Sequence, residues 1–73
     1  MEMQVEVVIN GERRNVPDGL NLETLLDYLE LRRDRVAVEL NRSIVKRESW
    51  SDHPVRPGDR LEIVHFVGGG SYD

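Results

Sequence analysis

The chain has 73 residues, no cysteine, and a formal charge of −4 from 10 basic and 14 acidic side chains. That length holds one small domain, and the lack of cysteine excludes disulfides, thiolate metal sites and cysteine nucleophiles. The acidic balance argues against nucleic acid and anionic membrane as partners, since both need a basic face, and suits a partner with a basic groove.

Met3, Val5, Val7 and Ile9 alternate with Gln4, Glu6 and Val8, which is the period of a strand. Asn10-Gly11 follows, and these are the residues that a type I′ hairpin turn asks for, because both central positions need positive φ. Glu12 to Val16 is the returning strand, closed by Pro17, which has no N–H for a ladder. Asp18-Gly19 is a second turn. Asn21 is placed to cap a helix, and Leu20 and Leu25 stand at the spacing of a hydrophobic staple. Leu22, Leu25, Leu26 and Leu29 then give the helix one apolar face. Glu23 in its first turn, and Arg32 and Arg33 at or just past its end, are expected to complement the helix dipole.

Arg35 to Asn41 alternates again, with Val36, Val38 and Leu40 on one side. Asn41-Arg42-Ser43 is a turn and Ile44-Val45 a short strand. Lys46 to Arg56 reads as polar and irregular, with Trp50 as its large apolar anchor. Pro57-Gly58-Asp59 is a turn, and Arg60 to Val67 the last strand. A helix with one apolar stripe must bury it against a sheet. It is expected to cross the sheet face, with the last strand returning beside the first. The fold predicted is α+β, a β-grasp (ubiquitin-like) roll with a mixed sheet of about five strands packed on one main helix. The domain is expected to span residues 1–67, followed by a flexible glycine-rich tail over 68–73. The longest apolar run, Val7-Val8-Ile9, is far short of the about 20 residues that a bilayer requires. No signal peptide is visible, so the chain is expected in the cytoplasm.

Nothing in the sequence points to catalysis or to a metal. His53 and His65 stand apart from each other and from any Ser–acid pattern, and the acids are scattered over turns and outward faces. His53, ahead of Pro54, is expected to be exposed. His65 shares parity with Leu61 and Ile63 and is expected to be partly buried. The glycines form no phosphate loop, because no helix follows them. The last strand is more informative. Val64 and Phe66 point away from Leu61 and Ile63, and Val8 has the same off-core parity. Val8, Val64, Phe66 and Val67 are expected to form an exposed apolar patch for a partner, unless the Trp50 loop covers one of them. Beyond them, Gly68-Gly69-Gly70 has no Cβ atoms and suits a narrow tunnel in extended form.

Four stretches carry a resemblance: Ile9-Asn10-Gly11-Glu12, Val36-Ala37-Val38-Glu39-Leu40-Asn41, Pro57-Gly58-Asp59-Arg60-Leu61-Glu62-Ile63-Val64 and Phe66-Val67-Gly68-Gly69-Gly70. In order and spacing, over about residues 3–70, the chain resembles the ThiS family of sulfur carriers of thiamine biosynthesis. The resemblance implies a carrier and not an enzyme, with no cofactor bound by the chain itself. A ThiF/MoeB-like adenylyltransferase would use ATP and Mg²⁺ to activate the carboxylate of Gly70, or of Gly69 if trimming goes further. Sulfur from a cysteine desulfurase or sulfurtransferase would make the thiocarboxylate, and a thiazole synthase would take the sulfur. Gly68, Gly69 and Gly70 would be the tunnel segment, and Val64 and Phe66 the docking patch. The chain departs from the family at Ser71-Tyr72-Asp73, which holds the Gly70 carboxylate in a peptide bond. Removal by a C-terminal peptidase is the reading adopted; an artificial addition and a loss of conjugation are the others. The molybdopterin-synthase (MoaD-like) carrier, a carrier for another sulfur metabolite, and a β-grasp interaction module that carries no sulfur stay open as alternatives.

Overall fold

Two left-handed turns, each led by asparagine, shape the sheet. A computed structural model describes residues 3–66. The expected domain boundary at 67–68, Val67 of the patch, Gly68-Gly69-Gly70 and Ser71-Tyr72-Asp73 lie outside the described residues. Strands β1 (Gln4–Ile9) and β2 (Glu12–Pro17) pair antiparallel, from Gln4 opposite Pro17 to Ile9 opposite Glu12. Their turn has φ of 52° at Asn10 and 84° at Gly11, as a type I′ turn requires.

Helix α1 (Leu22–Tyr28) opens with a reciprocal cap. The Thr24 N–H donates to Asn21 Oδ1 at 2.8 Å, and the Asn21 N–H donates to Thr24 Oγ1 at 2.9 Å. Leu22, Leu25 and Leu26 are buried, and Leu20 and Leu29 pack against the core. The helix ends in a Schellman motif: the Leu31 N–H donates to the Leu26 carbonyl at 2.9 Å and the Glu30 N–H to the Asp27 carbonyl at 3.0 Å. Glu30 has φ of 62° there, a position that glycine usually fills. With seven residues the helix is about 10 Å long.

Arg32 and Arg33 depart from expectation, since no basic residue lies in the last helical turn. Arg33 folds back along the helix, with Nη1 2.9 Å from Glu23 Oε2 and Nη2 2.7 Å from Asp27 Oδ2. Two full carboxylate charges outweigh the partial charge at a helix end. The hydrogen bond that the guanidinium donates to Asp27 is the largest cause of an Arg33 pKa raised above its usual value.

Strands β3 (Val36–Leu40) and β4 (Ser43–Val45) form the second hairpin, with φ of 51° at Asn41 and 76° at Arg42. The stretch expected to be irregular contains a 3-10 helix, Arg47–Asp52, that buries Trp50. The indole Nε1 donates to the Val45 carbonyl at 2.9 Å, so this large ring enters the core without stranding its polar atom. With Val55 it covers sheet that the short helix leaves open. Pro57 and Gly58 then make a type II turn: Gly58 has φ of 86°, and the Asp59 N–H donates to the Arg56 carbonyl at 3.1 Å.

Strand β5 (Arg60–His65) completes a five-stranded sheet in the order β2-β1-β5-β3-β4. It runs parallel to β1 and antiparallel to β3, which makes the sheet mixed. The inner face carries Val7, Ile9, Val38, Leu61 and Ile63 against the helix leucines and Trp50. This is the β-grasp roll predicted above. Two histidine expectations fail. His65 keeps the inward parity but is exposed, because β5 has by then run past what the short helix covers. His53 is half-buried and not exposed, because its main chain is tied to both sides: its N–H donates to Trp50 and its carbonyl accepts from Leu22.

Candidate docking face

The outer face of the sheet has no helix against it, and its residues follow from strand alternation and register. They sort by chemistry into rows across the strands. Arg13, Val8 and Arg60 form one row, since Val8 is opposite both arginines. Glu62, Glu39 and Ile44 form the next, with Glu39 opposite both of the others. Val64 and Ala37 form the third, and Phe66 stands one residue beyond β5. The face thus runs from basic to acidic to apolar in the direction in which β5 leads toward Gly68.

The third row is apolar and open. Val64 is 56% and Phe66 42% exposed, and the Trp50 loop does not cover them. The Phe66 N–H donates to the Arg35 carbonyl at 2.8 Å, which holds the chain against the sheet at its last described residue. A groove of about 220 Å³ lies over Ala37, Val38, Ile44 and Val64, with Glu39 and Glu62 at its edge. Ile44, at 75% exposure, belongs to this apolar set, and the sequence reading missed it. The signal was there: Val45 is buried, so alternation turns Ile44 outward.

Val8 is not brought into this groove. It is half-buried and sits at the level of Arg60, four residues along β5 from Val64, or about 13 Å. It lines a second depression with Gly11, Arg42 and Arg60, which meets the groove at Glu39 and Glu62. Val64 and Phe66 therefore share their surface with Ile44 and Ala37, and Val8 belongs to the basic row.

The strand that carries the patch is pinned at two points. Asn10 Oδ1 accepts the Ile63 N–H at 2.7 Å, and its Nδ2 donates to the Ile63 carbonyl at 3.1 Å. Asn41 Oδ1 accepts the Arg60 N–H at 3.0 Å, and the Asn41 N–H donates to the Arg60 carbonyl at 2.8 Å. Among the described residues no group of His, Asp and Glu is arranged to hold a metal ion, and no helix is long and apolar enough to cross a membrane.

Residues 7–70 match the ThiS family. Over 67 residues the chain is 46% identical to a thiazole synthase of Paramagnetospirillum magneticum, covering 92% of the chain and 21% of that protein. A thiazole synthase of Magnetococcus marinus is 37% identical over 68 residues. The chain spans only about a fifth of the length of these two relatives, 21% in each case. It is also 29% identical to the sulfur carrier protein ThiS of Escherichia coli, over 90% of the chain and 100% of the relative. Among solved structures, the thiamine biosynthesis protein ThiS from Geobacter metallireducens superposes with a TM-score of 0.77 at 36% identity, covering 90% of this chain and 100% of that one.

Proposed function

The chain belongs to the ThiS family, and from that premise we propose that it is a carrier, not an enzyme, that delivers sulfur as a C-terminal thiocarboxylate for thiazole formation in thiamine biosynthesis. One observation carries the reading beyond the family: the exposed Val64 lies on β5 and the exposed Phe66 just past its end, shortly before Gly68-Gly69-Gly70 in the chain. An apolar face beside a glycine tail suits a partner that grips the first and threads the second.

The reactive group is the carboxylate of Gly70, set free when a peptidase hydrolyses the bond to Ser71. An adenylyltransferase of the ThiF/MoeB type binds ATP and Mg²⁺. The Gly70 carboxylate oxygen attacks the α-phosphorus, and pyrophosphate leaves. This turns a poor electrophile into an acyl group with a good leaving group. Sulfur from a cysteine desulfurase or sulfurtransferase arrives as a persulfide, attacks the acyl carbon and expels AMP. A second thiol then cleaves the S–S bond and leaves the thiocarboxylate. A thiazole synthase takes the sulfur; the likeness of the chain to about a fifth of two thiazole synthases supports that partner. The need for ATP and for a reduced sulfur donor assigns the cycle to the cytoplasm.

The chain contributes binding and position. Val64 and Phe66, with Val67 and Ile44, supply apolar contact. Gly68 and Gly69 let partner backbone approach closely. Asn10 and Asn41 fix the strand from which the tail departs. The test is ATP–pyrophosphate exchange by the purified adenylyltransferase. A version ending at Gly70 is expected to support exchange and the full chain is not. Absence of exchange with both would overturn the proposal.

A further inference from the structure

Glu39 and Glu62 face each other directly across β3 and β5, at the edge of the apolar groove. Like charges opposite each other in a sheet are unfavourable. Neither carboxylate forms an ion pair within the described residues, where the pairs are Arg33 with Glu23 and Asp27, and Arg32 with Asp34; Arg42 and Arg60 line the adjoining depression with them but make no ion pair to either. Glu39 is also half-buried, between Glu62 on one side and Ile44 on the other. The same depression therefore offers apolar floor from Ala37, Ile44 and Val64, and two carboxylates that form no ion pair.

One kind of group satisfies both halves, a long aliphatic stem that ends in a cation. We propose that this groove seats an arginine side chain of the adenylylating partner, with its stem over Ile44 and Val64 and its guanidinium shared between Glu39 and Glu62. The proposal rests on the carrier reading, from which the partner follows. Arginine fits better than lysine because its planar fork offers five N–H donors and serves two carboxylates at once. The position on the face favours a partner protein: the groove is continuous with Val64, on the strand that leads to the tail. The acid row then sets the register of the tail against the partner, since sliding along β5 by one row brings Arg60 or Val64 under the guanidinium.

The experiment measures the affinity of the full chain for the purified ThiF/MoeB-type adenylyltransferase of the same organism, by calorimetry at low and at high salt. Wild type is compared with Glu39→Gln, Glu62→Gln and the double variant. Each single change is expected to weaken binding about tenfold and to flatten the salt dependence. Removing the repulsion should leave the melting temperature of the free chain equal or higher, so a loss of binding will not stem from unfolding. A Gly70-terminated version is run in parallel for exchange activity. If exchange proceeds and the Gln variants bind like wild type, the proposal falls and the carrier reading stands. If wild type does not bind and the Gly70-terminated version does not support exchange, both fall. Concentration-dependent self-association of the wild type that the Gln variants lose would give the groove to a second copy of the chain, and would overturn the proposal as well.

Discussion

The side-chain amide of Asn10 pairs with the main chain of Ile63 as a neighbouring strand would, accepting from its N–H at 2.7 Å and donating to its carbonyl at 3.1 Å. Strand β1 ends at Ile9, and its parallel pairing with β5 reaches only from Val8–Arg60 to Ile9–Leu61. Asn10 extends that pairing while its backbone already turns at φ 52°. One residue thus makes the hairpin turn and holds the strand that leads to the tail. Replacement by glycine keeps the turn and removes both bonds, for an expected loss of about 1–2 kcal/mol. Replacement by alanine also forces a Cβ into positive φ, and should cost about 1 kcal/mol more than glycine. Urea unfolding of the two variants checks this; equal losses would mean that the backbone strain is negligible.

Glu30 closes the helix with φ of 62°. Glycine at this position is expected to stabilise the protein by up to about 1 kcal/mol, because the Schellman bonds stay and the Cβ strain goes. Alanine keeps the strain and should change little. Thermal unfolding of both variants separates strain from loss of the glutamate charge.

Trp50 is 2% exposed and donates its indole N–H to the Val45 carbonyl. Trp50→Phe removes the bond and part of the ring, and is expected to destabilise by about 2–4 kcal/mol. Unfolding followed by far-ultraviolet circular dichroism measures it, since the variant has no tryptophan left to report.

The Arg33 cluster is a surface feature and should behave as one. Its guanidinium pKa is raised in the folded state, with the Asp27 hydrogen bond as the first cause. A raised basic pKa adds stability that is fully present below the unfolded pKa and is lost only as pH rises through the folded one. The ordinary arginine value already lies far above the neutral range, and the folded one lies higher still. Arg33→Gln is therefore expected to give a small loss with no dependence on pH from 5 to 9 through this arginine, and the loss should shrink in molar salt. Melting curves across that range test it.

The local features were legible and the long-range ones were not. Asn10-Gly11, the Asn21 cap and the Pro57-Gly58 turn each state their geometry within a few residues, so a reading of the chain finds them. The bonds from Asn10 to Ile63 and from Asn41 to Arg60 join residues 53 and 19 apart, and no local pattern marks them. The same holds for Arg33: its nearness to the helix end suggests a partner for the dipole, but its guanidinium follows acids six and ten residues back. Parity alone turns Val64 and Phe66 outward. Parity could not show that Val8, with the same orientation, lies at a different level of the sheet, because that depends on the register of β1 against β5. Ile44 was within reach, had the alternation been carried through a strand as short as Ser43–Val45.

On the docking face, Phe66→Asp places a charge where the proposed partner meets apolar surface. It is expected to weaken binding of the adenylyltransferase at least tenfold while the melting curve stays close to wild type. Gly69→Val in a version ending at Gly70 tests the tunnel separately: docking should persist, while ATP–pyrophosphate exchange should fall by two orders of magnitude or more, about 3 kcal/mol in activation. Unchanged exchange would show that the tail is not threaded through a confined path.

Whether this chain carries sulfur on Gly70 is read from its intact mass. The chain is incubated in lysate from its own cells with ATP and cysteine, then weighed. Loss of Ser71-Tyr72-Asp73 is expected, followed by replacement of one carboxylate oxygen by sulfur. A version ending at Gly70 that acquires neither an adenylate nor sulfur in the same lysate would contradict that expectation.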